Sequence, residues 1–243
     1  MRTLTFAKRC TKEILRDPIN LFFGLGFPVV LLLLLSAMQA NIPVKLFAIE
    51  SLAPGITVFG LSFITLFSAT LVSRDRESSF LQRLYTTPLS ASEFILGYML
   101  PLIPISVAQS AVCYLLALIL GLPLSLNILY AVLMIIPISI FYISLGLLFG
   151  SILGVKQAGG ICGGLLTNLS AWLSGVWFDI SLVGGIFEKV ARVLPFIHAV
   201  ELERALISGD FSEVALRLLV VTAYAISVTI IASLLFLSQM KKQ

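Results

Sequence analysis

The sequence predicts an all-α integral membrane protein: six membrane-crossing helices preceded by an N-terminal amphipathic interfacial helix. Composition is the first reason. Hydrophobic residues make up 59% of the 243-residue chain and charged residues 12%, whereas soluble domains carry about 25% charged residues. The second is length. Six apolar stretches, at about 19–39, 52–72, 94–120, 128–153, 159–178 and 216–238, each approach the roughly 20 residues that cross about 30 Å of hydrocarbon at 1.5 Å per residue. A β-barrel would show alternating segments of about ten residues, and none occur. Short connections join most of the stretches, so residues 1–243 read as a single transmembrane domain.

Residues 1–18 form a short basic helix with Leu4, Ala7, Thr11 and Ile14 on one face and Lys8, Arg9, Lys12 and Arg16 around the rest. Such a helix is expected in the inner headgroup layer. The apolar run that follows, from Ile19 past Leu35, is longer than the 7–15 residues usual for a signal peptide, and "AMQA" is a poor cleavage site, so the first span is expected to be retained. Asp17 caps that span, with Pro18 at its first position, where a missing N–H is harmless. Pro28, Pro101, Pro104 and Pro137 fall inside spans and are expected to kink them. Gly146, Gly150 and Gly154, and the pairs Gly159/Gly163 and Gly160/Gly164, recur every fourth residue. That spacing lets helix backbones approach closely in lipid, within one subunit in preference to between two.

Between the second and third spans, at 73–93, comes the most polar stretch, "SRDRESSFLQRLYTTPLSASEF" for Ser73–Phe94. Phe80, Leu81, Leu84 and Tyr85 make an apolar stripe on a short helix at 73–87, and Arg76, Glu77 and Arg83 point elsewhere. Pro88 ends this helix. Ser90 and Glu93 then form a capping box, flanked by a Leu89–Phe94 staple, which starts the third span. The segment 179–215 holds two further amphipathic helices. Phe187, Val190, Ala191 and Leu194 run to a break at Pro195, and Leu202, Ala205 and Leu206 run to Gly209. This segment is expected to dip into the outer leaflet. Asp210 and Glu213 cap the last span, and Glu213 pairs with Arg217.

Lysine and arginine collect at 1–18, at 73–93, at Lys156 and at Lys241–Lys242, outnumbering Lys45, Lys189, Arg192, Arg204 and Arg217 on the other side. This bias predicts a multi-pass protein of the cell membrane with both termini cytoplasmic. It also accounts for the net charge of +4 without nucleic acid. Between their ends the spans hold no Asp, Glu, Lys, Arg or His, Arg217 lying at the edge of the last. That argues against an ion-coupled carrier, an intramembrane protease or a metal enzyme. Cys10, Cys113 and Cys162 lie far apart and are expected as free thiols, with no metal site. His198 reads as an interfacial helix residue without a catalytic partner. No GxxxxGK[ST] motif occurs, so energy for any work must come from another chain. The helix at 73–87 is the natural docking point for it, an ordinary solvated loop being the alternative.

The stretch "DRESSFLQRLYTTPLSASEFILGY" resembles the signature of type-2 ABC transporter permeases, which runs roughly E-R-E-x-G-T-L-x-R-L-x-x-T-P-x-S. Asp75 and Glu77 match its acidic positions, Arg83 and Leu84 its R-L pair, and Thr87 and Pro88 its T-P, while Ser79 and Phe80 depart from it. The basic N-terminal helix, "RDP", Pro28 and the late "LPFIHAVELERALISG" are similar to the family in the same order. The resemblance implies a permease subunit of an ATP-driven exporter, with no catalytic residue or cofactor of its own. Two separate ATPase subunits would hold ATP and Mg, and a second copy or a related permease would complete a dimer within the membrane lipids. The partner-coupling residues would be Asp75, Arg76, Glu77, Phe80, Leu81, Arg83, Leu84, Tyr85, Thr87 and Pro88. By similarity the pathway lies between subunits, along the first, second and fifth spans. Ser36, Gln39, Thr57, Ser62, Thr65, Thr167, Asn168 and Trp172 are its candidate lining, with helix-to-helix hydrogen bonding as their alternative role. Because no charge lies at mid-depth, the expected cargo is amphipathic or apolar, and the resemblance implies the drug, lipid or peptide class. A passive channel or secondary carrier, and a ligand-binding immunity or scaffold protein, are the competing functions.

Overall fold

A computed structural model describes residues 2–43, 47–78 and 91–241. The basic helix α1 (Arg2–Leu15) is followed by α2 (Pro18–Ala40), α3 (Ile49–Glu77), α4 (Ala91–Ile119) and α5 (Asn127–Ile152). Next comes a broken helical segment at 155–173, here α6, then α7 (Gly185–Val193), α8 (Pro195–Ser208) and α9 (Val214–Lys241). Five of these, α2 to α5 and α9, are long and apolar enough to cross a membrane.

The expected span at 159–178 starts and ends earlier, and it is not a continuous α-helix. It opens with one turn at Val155–Ala158, winds as a π-helix over Gly159–Leu166 and returns to α-helix at Thr167–Leu173. Its "GGICGG" core explains the change, because glycines carry no side chain to favour the tighter winding. The segment still runs the length of the bundle. Its start is tied to Glu77 at the end of α3, through Val155 N at 2.9 Å. At its other end Arg204 donates both to Gly175 O, at 2.9 Å, and to Ser51 O at the start of α3. A second π-wound turn, Phe22–Gly26, lies in α2 just before Pro28, where the proline removes a helical N–H.

Helix α3 is the axis. Buried residues make up 89% of its apolar window, against 22% for α2 and α9. It packs on α5 above all, and also on α2, α4, α6 and α8. The α3–α5 seam is built from small residues and backbone acceptors. Thr65 and Ser68 donate to the carbonyls of Tyr142 and Ile143 at 2.8 and 3.0 Å. A Cβ on Gly150 would sit 2.6 Å from Ala69 O and 2.9 Å from Val72 Cβ. The first glycine set therefore packs inside the subunit, as expected, whereas Gly159, Gly160 and Gly164 face open space.

Helix α1 packs differently from the expected face. Phe6, Ala7, Cys10 and Ile14 are buried while Leu4 is exposed, because Phe6 stacks edge-on against Phe94 and Tyr98 of α4. Phe94 also meets Phe236 near the end of α9, so both termini lie at one end of the bundle, here the proximal end. The distal end carries α7 and α8, which break at Pro195 and stop at Gly209 (φ +78°), where the sequence places those signals.

Replacing Gly150 with leucine should destabilise the protein by about 1–3 kcal/mol through overpacking against α3. Gly160→Ala should stay within about 1 kcal/mol of the parent. Thermal unfolding in detergent measures both.

Candidate functional site

The proximal end is organised around the last turn of α3. The expected boundary of the second span, near residue 72, is overrun by five residues: Ser73–Glu77 continue α3 and do not belong to a separate helix. Ser78 caps it in an extended conformation. Polar bonds hold the extension. Ser73 donates to Leu153 O at 2.9 Å, and Arg76 donates to Ser151 O and Leu153 O at 2.5 and 2.6 Å, satisfying carbonyls at the C-terminus of α5.

Asp75 sits in the same turn and is 2% exposed. Its carboxylate receives both guanidinium nitrogens of Arg9 from α1, the Nη2–Oδ1 bond being 2.6 Å, and the Tyr98 hydroxyl of α4 at 2.9 Å. Arg9 also pairs with Glu13 at 2.7 Å. Arg74 reaches Asp17, the cap of α2, at 3.7 Å. One helical turn is thus bonded to α1, α2, α4, α5 and α6. Burial by itself would lower the Arg9 guanidinium, but the hydrogen bond and charge of Asp75 hold it above its ordinary range. Burial also pushes the Cys10 thiol up to about 12, so it is an unreactive core residue.

Asp75 and Arg76 therefore direct their charged atoms inward, to neighbouring helices, while the exposed Glu77 bonds the first residue of α6 at the surface. The other coupling positions, Phe80, Leu81, Arg83, Leu84, Tyr85, Thr87 and Pro88, lie outside the described residues, as does the Ser90 half of the capping box.

A second polar knot ties the distal end. Arg204 of α8 bridges the start of α3 and the end of α6, as above, and Arg217 of α9 pairs with Glu201 of α8 and with Glu213. Glu203 is fully buried, and Tyr114 of α4 donates to its Oε2 at 2.5 Å. Its Oε1 has no partner among the described residues. Burial pushes the Glu203 carboxyl up to about 8, against the pull of the Tyr114 hydrogen bond. Sequence reasoning missed this residue because α8 lies outside the long spans. The signal was present: Glu203 follows Ala199 by four residues and precedes Leu206 by three, within the buried stripe of α8.

The candidate pathway residues separate into two groups. Thr57, Ser62, Thr65 and Thr167 are buried and donate to the backbone carbonyls of Ala53, Phe59, Tyr142 and Cys162. Of these only the Thr65 bond joins two helices. Gln39 accepts from Phe47 N at 2.6 Å and so closes the α2–α3 turn. The Ser36 Oγ is buried with no partner among the described residues. Asn168 and Trp172 are exposed on α6, on the face that carries Gly160 and Gly164. His198 bonds to Arg192 O at 2.8 Å. Among the described residues no group of three or more His, Cys, Asp or Glu is placed to hold a metal.

A bundle of long apolar helices, held by polar knots at both ends, is the construction of a multi-pass membrane protein. A family model described as ABC-2 type transporter matches residues 1–207. The chain belongs to the ABC-2 type transporter family. No curated protein matches it.

Glu203 gives a pH signature. An unfolded glutamate titrates near 4.3, and burial raises the folded value. The stability contributed by its neutral form is full below about pH 4 and is lost as pH rises through about 8. Between pH 5 and 9 the melting temperature of Glu203→Gln should therefore fall less than that of the parent, by about 3 °C or more.

Proposed function

We propose that this chain is the membrane subunit of an ATP-driven exporter of the cell membrane, its proximal end facing the cytoplasm and its ATPases on two separate subunits. One observation carries the reading. The turn of α3 that leads into the family-like "RLYTTP" segment is bonded to five other elements at its root. A push on that segment would move α1, α2, α4, α5 and α6 together and would not dissipate in a loose loop. In this scheme Phe80, Leu81, Arg83, Leu84, Tyr85, Thr87 and Pro88 meet the ATPase. Asp75, Arg76 and Glu77 are positioning residues that transmit the motion.

A second copy, or a related permease, would pack against the exposed faces of α2 and α6. Phe22, Val30, Leu34 and Met38 are exposed on the first, and glycines facing open space lie on the second. Asn168 and Trp172 border that seam and are the stronger lining candidates, whereas the Ser36 Oγ is enclosed. Thr57, Ser62, Thr65 and Thr167, enclosed in one subunit, serve packing. The seam is apolar with few polar groups, which suits an amphipathic or apolar cargo of the drug, lipid or peptide class.

Co-reconstitution with the cognate ATPase tests the scheme. Arg83→Glu should abolish ATP-dependent export while leaving the melting temperature of the chain unchanged. Asp75→Asn should lower export at least about tenfold and destabilise the chain by about 1–3 kcal/mol. That is below the 3–5 kcal/mol typical of a broken buried pair, because Arg9 remains one-third open to water. Flux from vesicles holding this chain alone, without nucleotide, would point to a passive channel. An Arg83→Glu variant with normal export would remove the coupling role.

A further inference from the structure

Helix α1 has three faces, and on two of them several side chains point away from the rest of the protein. Phe6, Ala7, Cys10 and Ile14 are buried on the first. At 100° per residue, Leu4 and Leu15 share a second face, where they are 68% and 61% exposed, and Ile19, in the first turn of α2, is 68% exposed. Thr5, Lys8, Arg9, Lys12 and Arg16 share the third. With Glu13, Asp17, Pro18 and Arg74 they line a trough of about 740 Å³ between α1 and the end of α3, a size within the usual range of small-ligand sites.

The charges in this trough do not balance. Arg9 is paired with Asp75 and Glu13, and Arg74 with Asp17. Lys8, Lys12 and Arg16 are exposed, and no ion pair involves them among the described residues. Three uncompensated cations around one concavity call for an anion, and ammonium and guanidinium groups together suit a phosphate oxygen set. The adjoining Leu4, Leu15 and Ile19 decide what kind. A soluble phosphate has no use for exposed leucine, whereas a lipid can place its headgroup in the trough and a chain along that apolar face.

We propose that the trough is a binding site for one anionic phospholipid, its phosphodiester held by Lys8, Lys12 and Arg16. The lipid would sit beside the Arg9–Asp75 pair and tie α1 and the root of α3 to the surrounding leaflet. The site needs no particular cargo and no ATPase to exist.

Native mass spectrometry of the delipidated full chain tests it. The probes are equimolar dioleoyl phosphatidylglycerol and dioleoyl phosphatidylcholine, with glycerophosphoglycerol and inorganic phosphate as competitors lacking chains. The expected result is selective retention of a single phosphatidylglycerol. Retention should fall about fivefold in K12Q and at least about tenfold in K8Q/K12Q/R16Q, since each surface cation is worth roughly 1 kcal/mol toward anionic lipid. Lys156→Gln, an exposed cation elsewhere, should change nothing. Equal retention of both lipids, or unchanged retention in K12Q and the triple variant, would overturn the proposal. So would an equal loss in Lys156→Gln. Displacement of the lipid by either chainless competitor at equal concentration would instead assign the trough to a soluble phosphate.

Discussion

A carboxylate buried in a chain this apolar is unfavourable unless its charge is matched, and the Arg9–Asp75 pair meets that requirement in a way the remaining structure relies on. Both oxygens of Asp75 are engaged, by a two-nitrogen guanidinium contact and a tyrosine hydroxyl. Removing any partner leaves a group without water to replace it. Because Arg9 stands on α1 and Tyr98 on α4, satisfying one side chain fixes three helices at once. The neighbouring Ser73, Arg76 and Glu77 extend the same logic to α5 and α6. The polar end of α3 is therefore a joint, with the charge of Asp75 matched inside the protein.

Within the hydrocarbon, cohesion has another source. Lipid tails are as apolar as leucine, so helices associate through close packing and through hydrogen bonds that water cannot contest. The α3–α5 seam uses both, with Gly146 and Gly150 admitting the α3 backbone while Thr65 and Ser68 donate to carbonyls of α5. Ser144 meets Thr229 across α5 and α9 at 2.6 Å, and Tyr142 meets Ser170 across α5 and α6 at 3.0 Å. The central helix is thereby surrounded, and the lightly covered α2 and α6 are left to face lipid or another subunit.

The distal end repeats the pattern of the proximal one with different chemistry. Arg204, Arg217 and Glu203 connect α8 to α3, α4, α6 and α9. Helix α8 is thus an internal strut. The two ends are linked through α3 and α4, each of which reaches from one knot to the other. Both helices therefore join two polar knots across the full height of the bundle.

Much of this was legible in one dimension. Hydropathy located five of the long helices within a few residues, because the length of an apolar run is a local property. Asp17, Pro18, Pro195 and Gly209 marked helix ends for the same reason, since caps and breakers act on their own turn. Partnership was not legible. Nothing in the spacing of Arg9 and Asp75, 66 residues apart, says that they meet, and Glu203 looks like a surface residue until α4 is laid against it. The buried face of α1 follows the four-residue spacing of Phe6, Cys10 and Ile14, but its partners Phe94 and Tyr98 could not be read from that spacing. The sequence by itself determined that the chain is a bundle of membrane helices and where most of them start and stop, because burial in lipid and helix termination depend on short windows. Only the tertiary structure decided which polar groups are joints and which face outward, because a buried charge is stabilised by whichever partner the packing brings to it.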